Sequence, residues 1–112
     1  MADIYSRDGN QNLKTIENAD NFTEWMYSEV KPYLRKNILE VGSGIGTYSE
    51  KIASDFKERK IIFSDIDDEY VAGLNKRFQD NKNVSCIKLN LENPSDFKNI
   101  KHKVDSAIAL NV

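Results

Sequence analysis

Residues 37–49 read N-I-L-E-V-G-S-G-I-G-T-Y-S, and this stretch decides the fold. Its first part is an apolar run with one acid, Glu40, and is typical of the end of a buried strand. The run leads into a turn, residues 42–46, that has glycine at every second position. Thr47 then opens a segment whose apolar residues recur at helical spacing. Strand, glycine-rich turn and helix form the layout that brings a backbone close to a nucleotide-like ligand.

The composition of the 112-residue chain indicates one globular domain with a modest core. Its net charge of -2 disfavours a bulk nucleic-acid partner and gives no attraction to an anionic membrane. The single cysteine, Cys86, excludes an internal disulfide and a cysteine metal cluster, and no metal site is predicted. The N-terminus lacks the features of a signal peptide, and no apolar run approaches the roughly 20 residues that span a bilayer. A cytoplasmic protein is therefore predicted.

Strand-like and helix-like segments alternate along the chain. Pro32 is expected to kink the first helix or to end it early. Alternation of this kind implies a parallel sheet with helices on both faces and right-handed crossovers. The predicted fold class is α/β, a three-layer, doubly wound parallel sheet of which the chain holds the first half. The predicted elements are a mobile or irregular arm (1–20), a helix (21–34), a strand (37–41), a helix (47–56), a strand (60–66), a helix (69–80), a strand (84–89), a helical turn (95–99) and a strand (104–110).

The chain stops in an apolar strand, residues 106–112, that has no polar tail. We therefore predict that the domain at 21–112 is incomplete and is truncated after about the fourth strand. The alternative is a short natural chain whose last strand is covered by a partner. An exposed apolar edge at the fourth strand invites pairing with another chain, so self-association through this edge is also predicted.

Two acids beside the glycine turn indicate the kind of ligand. Glu40 lies in an otherwise apolar strand end, so its carboxylate should face a cationic or hydrogen-bonding partner. Asp65 ends the next strand, about 20 residues beyond the glycines, where an acid can accept from both ribose hydroxyls. A nicotinamide dinucleotide prefers G-x-G-x-x-G, whereas Thr47 stands here at the last position of that pattern. An acid next to the turn suits a cationic nucleoside better than a pyrophosphate.

These segments resemble the class I S-adenosylmethionine-dependent methyltransferases. The resemblance covers about residues 21–112, and the helix that carries W-M-Y at 25–27 looks like that of the small-molecule members. Motif I is fairly specific when it is joined to the acid that ends the second strand, and the two later segments are weak alone. The matching segments are I-L-E-V-G-S-G-I-G-T at 38–47 (motif I), F-S-D-I-D at 63–67, I-K-L-N-L-E at 87–92 and V-D-S-A-I-A-L-N-V at 104–112.

The resemblance implies which residues hold S-adenosylmethionine. Glu40 would help to hold the methionine end, directly or through water, and Asn111 would lie below that end at the mouth of the site. Asp65 would bind the ribose hydroxyls. The backbone of the turn would lie against the methionine and ribose, and its residues in this role are Gly42, Ser43, Gly44 and Gly46.

The same resemblance assigns three residues to the adenine. Ile66 would flank the ring, and Leu91 would offer a backbone N–H to its edge. Asn90 stands where many relatives have an aspartate that reads the adenine amino group. This departure is tolerable because the side-chain oxygen of asparagine can accept the same hydrogen bond.

The predicted function is the cofactor-binding N-terminal segment of a methyltransferase that acts on a small molecule. No catalytic residue is assigned, because in this family the acceptor pocket is built largely from later strands. The segment alone is expected to be inactive. Two rivals remain open, a non-catalytic Rossmann-like interaction module and, more weakly, an NAD-binding oxidoreductase domain.

Overall fold

The structure is a computed structural model that describes the backbone of residues 9–110 and the side chains of residues 17–110. The chain forms two compact units, of which the first ends at Pro32. Its helix α1 (Gly9–Val30) passes into a short 3-10 helix (Lys31–Tyr33), so the helix ends just before the proline, as predicted. Among the described residues, no helix combines the length and the apolar character that a membrane crossing requires.

Helix α1 begins about twelve residues before the predicted start at position 21. The polar segment from Gly9 onward has no clear apolar periodicity, and for that reason the sequence indicated an arm. Polarity does not prevent a helix, because Lys, Gln and Glu are good helix formers. The helix runs across the predicted division between residues 20 and 21, and the domain assignment itself stays a prediction.

The second unit contains a four-stranded sheet in which every neighbouring pair of strands is parallel. The strand order is β3-β2-β1-β4, so the chain reverses direction across the sheet after β3 and returns to the far side of β1. The carboxyl end of β1 is therefore at a topological switch point, where ligands bind in open α/β sheets. The strands are β1 (Asn37–Glu40), β2 (Lys60–Asp65), β3 (Val84–Lys88) and β4 (Ser106–Ile108), and the helices between them are α2 (Thr47–Asp55), α3 (Asp68–Arg77) and α4 (Pro94–Lys98).

Apolar side chains are buried on both faces of this sheet, which explains the continuous apolar runs of its central strands. On one face the ring of Phe63 lies 4.9 Å from that of Phe78, at the end of α3. On the other face Leu39, Leu89 and Ile100 form a buried cluster. The α/β class and the parallel sheet with flanking helices are thus as predicted.

Strand β4 is shorter than the predicted strand at 104–110. The Asp105 carboxylate accepts hydrogen bonds from the backbone N–H of Asn37 (3.0 Å) and from its side-chain amide (3.2 Å). These bonds hold the pKa of Asp105 below its usual value, and the bond from the Asn37 N–H has the largest effect. The Asp105 side chain thus takes the N–H of Asn37, the first residue of β1. The pairing of β1 with β4 therefore begins at the next residue of each strand, with Ile38 opposite Ser106.

Candidate functional site

A cavity of about 760 Å³ opens at the carboxyl ends of β1, β2 and β3. It lies next to the switch point of the sheet, and parallel strands bring their carboxyl ends to this same edge. Three separate stretches of the sequence meet there. Six of the predicted site residues line the cavity, namely Gly42, Gly44, Asp65, Ile66, Asn90 and Leu91.

The glycine turn uses the backbone freedom that its composition predicted. Gly42, Gly44 and Gly46 have φ angles of 70°, 58° and 92°, and no other described residue has a positive φ. A Cβ placed on Gly44 would meet no atom within 4 Å, so the space beside this residue is open toward the cavity. Glycine at 44 therefore serves the backbone conformation and leaves room for a ligand to approach closely. Gly46 does not line the cavity but caps α2.

Asp65 joins the end of β2 to the glycine turn. Its Oδ2 accepts from the N–H of Gly44 at 2.9 Å, and its Oδ1 accepts from the N–H of Asp67 at 2.9 Å. The residue is 9% exposed, and it lines the cavity. A carboxylate has about four acceptor sites, so two bonds leave it able to accept from a ligand. This arrangement can hold a pair of hydroxyl groups.

Ser43 does not line the cavity and instead connects the glycine turn to β2. It is fully buried, its N–H donates to the Ser64 carbonyl at 2.8 Å, and its Oγ accepts from the Ser64 N–H at 3.2 Å. The Ser64 hydroxyl in turn donates to the Glu40 carbonyl at 2.6 Å. These bonds extend the pairing of β1 and β2 beyond the strands and fix the first half of the turn.

Glu40 is buried beneath the turn and does not line the cavity. The Ser49 hydroxyl of α2 donates a short hydrogen bond to Oε1, so the predicted hydrogen-bonding partner of the acid exists. Oε2 makes no hydrogen bond of good geometry within the described residues. Burial raises the pKa of Glu40; the hydroxyls of Ser49 and Ser43 act in the opposite direction, and the charge of Asp65 adds to the rise. Contact of Glu40 with a methionine end stays a prediction.

Exposed apolar side chains form one wall of the cavity. Ile66 is 59% exposed, Leu91 57% and Tyr70 43%. The sequence did not assign Tyr70 to the site, because it continues the helical spacing of Leu74 and Phe78. In the structure Leu74 and Phe78 are buried and Tyr70 faces the cavity from the first turn of α3. Tyr70 follows Ile66 by four residues and is close to the acidic end of β2, and this proximity in the sequence could have indicated that it lines the site.

The loop after β3 completes the site. The Asn90 side-chain oxygen accepts from the Glu92 N–H at 3.0 Å, and the Asn90 N–H donates to Asp96 at 3.0 Å. Asn90 is therefore held by its own loop, and one lone pair of its side-chain oxygen remains. The N–H of Leu91 makes no hydrogen bond within residues 9–110, which suits the predicted role as a donor. Asn111 lies outside the described residues.

Comparison with known proteins gives the family. Residues 38–112 match the family described as "Methyltransferase domain". The chain is 33% identical, over an alignment of 105 positions, to malonyl-[acyl-carrier protein] O-methyltransferase 1 of Ilyobacter polytropus, with 83% of this chain and 38% of that protein covered. The crystal structure of the CurJ carbon methyltransferase superposes with a TM-score of 0.60 and 26% identity, over 72% of this chain and 22% of that one.

The chain belongs to the methyltransferase-domain family, which confirms the predicted class and fold. Membership of this family implies the use of S-adenosylmethionine and does not favour the NAD-binding or the non-catalytic alternative. The chain spans 38% of the length of the curated relative and 22% of the CurJ chain. What the whole protein methylates is therefore a matter for proposal.

Proposed function

We propose that this chain is the cofactor-binding part of an S-adenosylmethionine-dependent methyltransferase, and that the protein methylates a small molecule. The observation that carries the proposal is that the glycine turn, the Asp65 carboxylate and the apolar wall line the same cavity. Its volume of about 760 Å³ lies within the range typical of small-molecule sites.

The donors and surfaces of the cavity fit the parts of this cofactor. Asp65 has acceptor capacity left for two ribose hydroxyls. Ile66, Tyr70 and Leu91 offer an apolar surface to a flat base, and the Leu91 N–H can donate to its edge. The open space beside Gly44 lets the ligand approach the backbone of the turn. Glu40 does not line the cavity, but an acid buried below the turn disfavours a pyrophosphate beside it.

When bound, the cofactor supplies a methyl group on a sulfonium. This chain would bind the cofactor and orient it, so that the methyl group is in line with the attacking atom of the acceptor. No described residue is assigned as a catalytic base. The relatives differ in their acceptor atom, since one is named an O-methyltransferase and the other a carbon methyltransferase, and the acceptor therefore stays open. Cytoplasmic localisation and self-association through β4 stay predictions.

Calorimetric titration with S-adenosylhomocysteine and with NADH tests the proposed function. We expect S-adenosylhomocysteine to bind and NADH to give no heat of binding. Asp65→Asn should weaken binding by roughly 10- to 100-fold, because a hydrogen bond to a charged group contributes about 1.5–3 kcal/mol. Asp67→Asn makes the same chemical change two residues away, where asparagine replaces aspartate equally well as the N-cap of α3.

Asp67→Asn should therefore bind like the unaltered protein. Tighter binding of NADH than of S-adenosylhomocysteine would contradict the proposal, and so would equal affinities of the Asp65→Asn and Asp67→Asn variants. Circular dichroism of each variant verifies that it is folded.

A further inference from the structure

Arg77, the last residue of α3, reaches back to the glycine turn. Its Nη1 donates to the carbonyl of Ile45 at 3.0 Å, with the Gly46 carbonyl more distant at 3.5 Å. Its Nη2 forms an ion pair with Glu50 in the first turn of α2, at 2.5 Å. One guanidinium therefore bridges the carbonyl side of the turn and the helix that follows it.

The turn is thus held from two directions. Asp65 accepts the N–H of Gly44 on the side of the cavity. Arg77 donates to the carbonyl of the next residue, Ile45, and it does not line that cavity. Asp65 ends β2 and Arg77 ends α3, so the last residue of a strand and the last residue of the helix that follows it fix the two sides of the turn.

We propose that Arg77 is a positioning residue of the cofactor site, which fixes the carbonyl side of the glycine turn in its binding conformation. The proposal rests on the proposed function. A turn that is already ordered before the ligand binds loses little conformational entropy on binding, and the affinity for the ligand is higher for that reason. Arg77 acts through the turn and not by touching the ligand.

The glycine at position 46 supports this role. A Cβ placed there would lie 2.9 Å from Nη1 of Arg77 and 3.2 Å from Cδ2 of Leu74. The absence of a side chain at Gly46 therefore makes the room that the guanidinium occupies. Arginine suits the position because its planar fork donates in two directions at once, to a carbonyl and to a carboxylate, which a lysine ammonium does not match.

The chain contains a matched control, Arg59. It donates to two consecutive carbonyls, those of Leu34 (2.8 Å) and Arg35 (3.0 Å), and its guanidinium lies 4.2 Å from the centre of the Phe56 ring. Arg59 precedes the first residue of β2, at the opposite end of the sheet from the cavity. It makes the same type of contact as Arg77 without any connection to the turn.

The experiment compares Arg77→Met, Arg77→Lys and Arg59→Met with the unaltered protein, by calorimetric titration with S-adenosylhomocysteine. We expect Arg77→Met to bind about tenfold more weakly, because the turn loses a bias toward its binding conformation as large as the net strength of that hydrogen bond. Arg77→Lys should recover only part of this loss. Arg59→Met should lower the urea midpoint of unfolding and leave the dissociation constant unchanged, because the constant is measured on folded protein.

The outcomes separate this inference from the proposed function. If the unaltered protein binds and Arg77→Met binds equally well, or if Arg59→Met loses as much affinity, Arg77 has no positioning role and the proposed function stands. If the unaltered protein does not bind S-adenosylhomocysteine, both are overturned. If Arg77→Met does not fold, Arg77→Lys decides, and full affinity of that variant overturns the inference.

Discussion

The substitutions Gly46→Ala and Gly44→Ala add the same methyl group to two glycines of one turn, and the structure predicts different costs. At Gly46 the φ of 92° lies beyond the usual left-handed range of about +50° to +70°. The left-handed conformation costs a residue with a Cβ about 1–2 kcal/mol. The methyl group must also displace Arg77 Nη1 from 2.9 Å, and the lost hydrogen bond to Ile45 costs about 1 kcal/mol more.

We therefore expect Gly46→Ala to lower the free energy of unfolding by about 2–3 kcal/mol. At Gly44 the φ of 58° is ordinary for the left-handed region and no atom lies within 4 Å of the added Cβ, so only about 1 kcal/mol is lost. Both substitutions should weaken ligand binding, Gly44→Ala because its methyl group enters the open space of the cavity and Gly46→Ala because it displaces Arg77. We expect Gly44→Ala to weaken the binding of S-adenosylhomocysteine by tenfold or more.

Urea denaturation, monitored by circular dichroism, measures the free energy of unfolding. Calorimetric titration measures the affinity for S-adenosylhomocysteine. Gly73→Ala is the control, since Gly73 lies within α3 with no atom within 4 Å of its added Cβ. It should stabilise the protein by about 0.8–1 kcal/mol, the difference between the helix propensities of glycine and alanine. Equal urea midpoints for Gly46→Ala and Gly44→Ala would refute the reasoning about Arg77.

Two further predictions concern the buried acid. Ser49→Ala removes the hydroxyl that donates to Glu40 and leaves Oε1 unpaired, so it should cost about 1–3 kcal/mol in urea denaturation, whereas Ser54→Ala, in the same helix, should change little. Burial raises the pKa of Glu40 above its ordinary value of 4.5, so the folded protein binds this proton more tightly than the unfolded chain does. The contribution of Glu40 to the free energy of unfolding is therefore largest below pH 4.5 and is lost as the pH rises through the folded-state pKa. Glu40→Gln should remove this decline from a series of urea titrations over pH, and an unchanged decline would show that another group causes it.

The order of the elements could be predicted because periodicity and glycine punctuation are local properties. The run from Glu40 through the turn to Thr47 encodes a strand, a turn and a helix in consecutive residues. The start of α1 at Gly9 was not predicted, because a polar helix lacks the apolar periodicity that marks the others. The start of β4 at Ser106 was not predicted either, because a side chain, Asp105, takes the N–H that the strand would use.

The sequence by itself determined the α/β class, the family resemblance and the turn with its neighbouring acid Asp65, because these depend on residue types at fixed spacings. Only the tertiary structure decided what each acid contacts. Asp65 accepts from the turn at the cavity, and Glu40 lies buried below it against Ser49. Only the tertiary structure brought Arg77 to the carbonyl side of the turn, 31 residues after Gly46. Such contacts arise when parallel strands bring distant loops to one edge of a sheet, and no local spacing in the sequence encodes them.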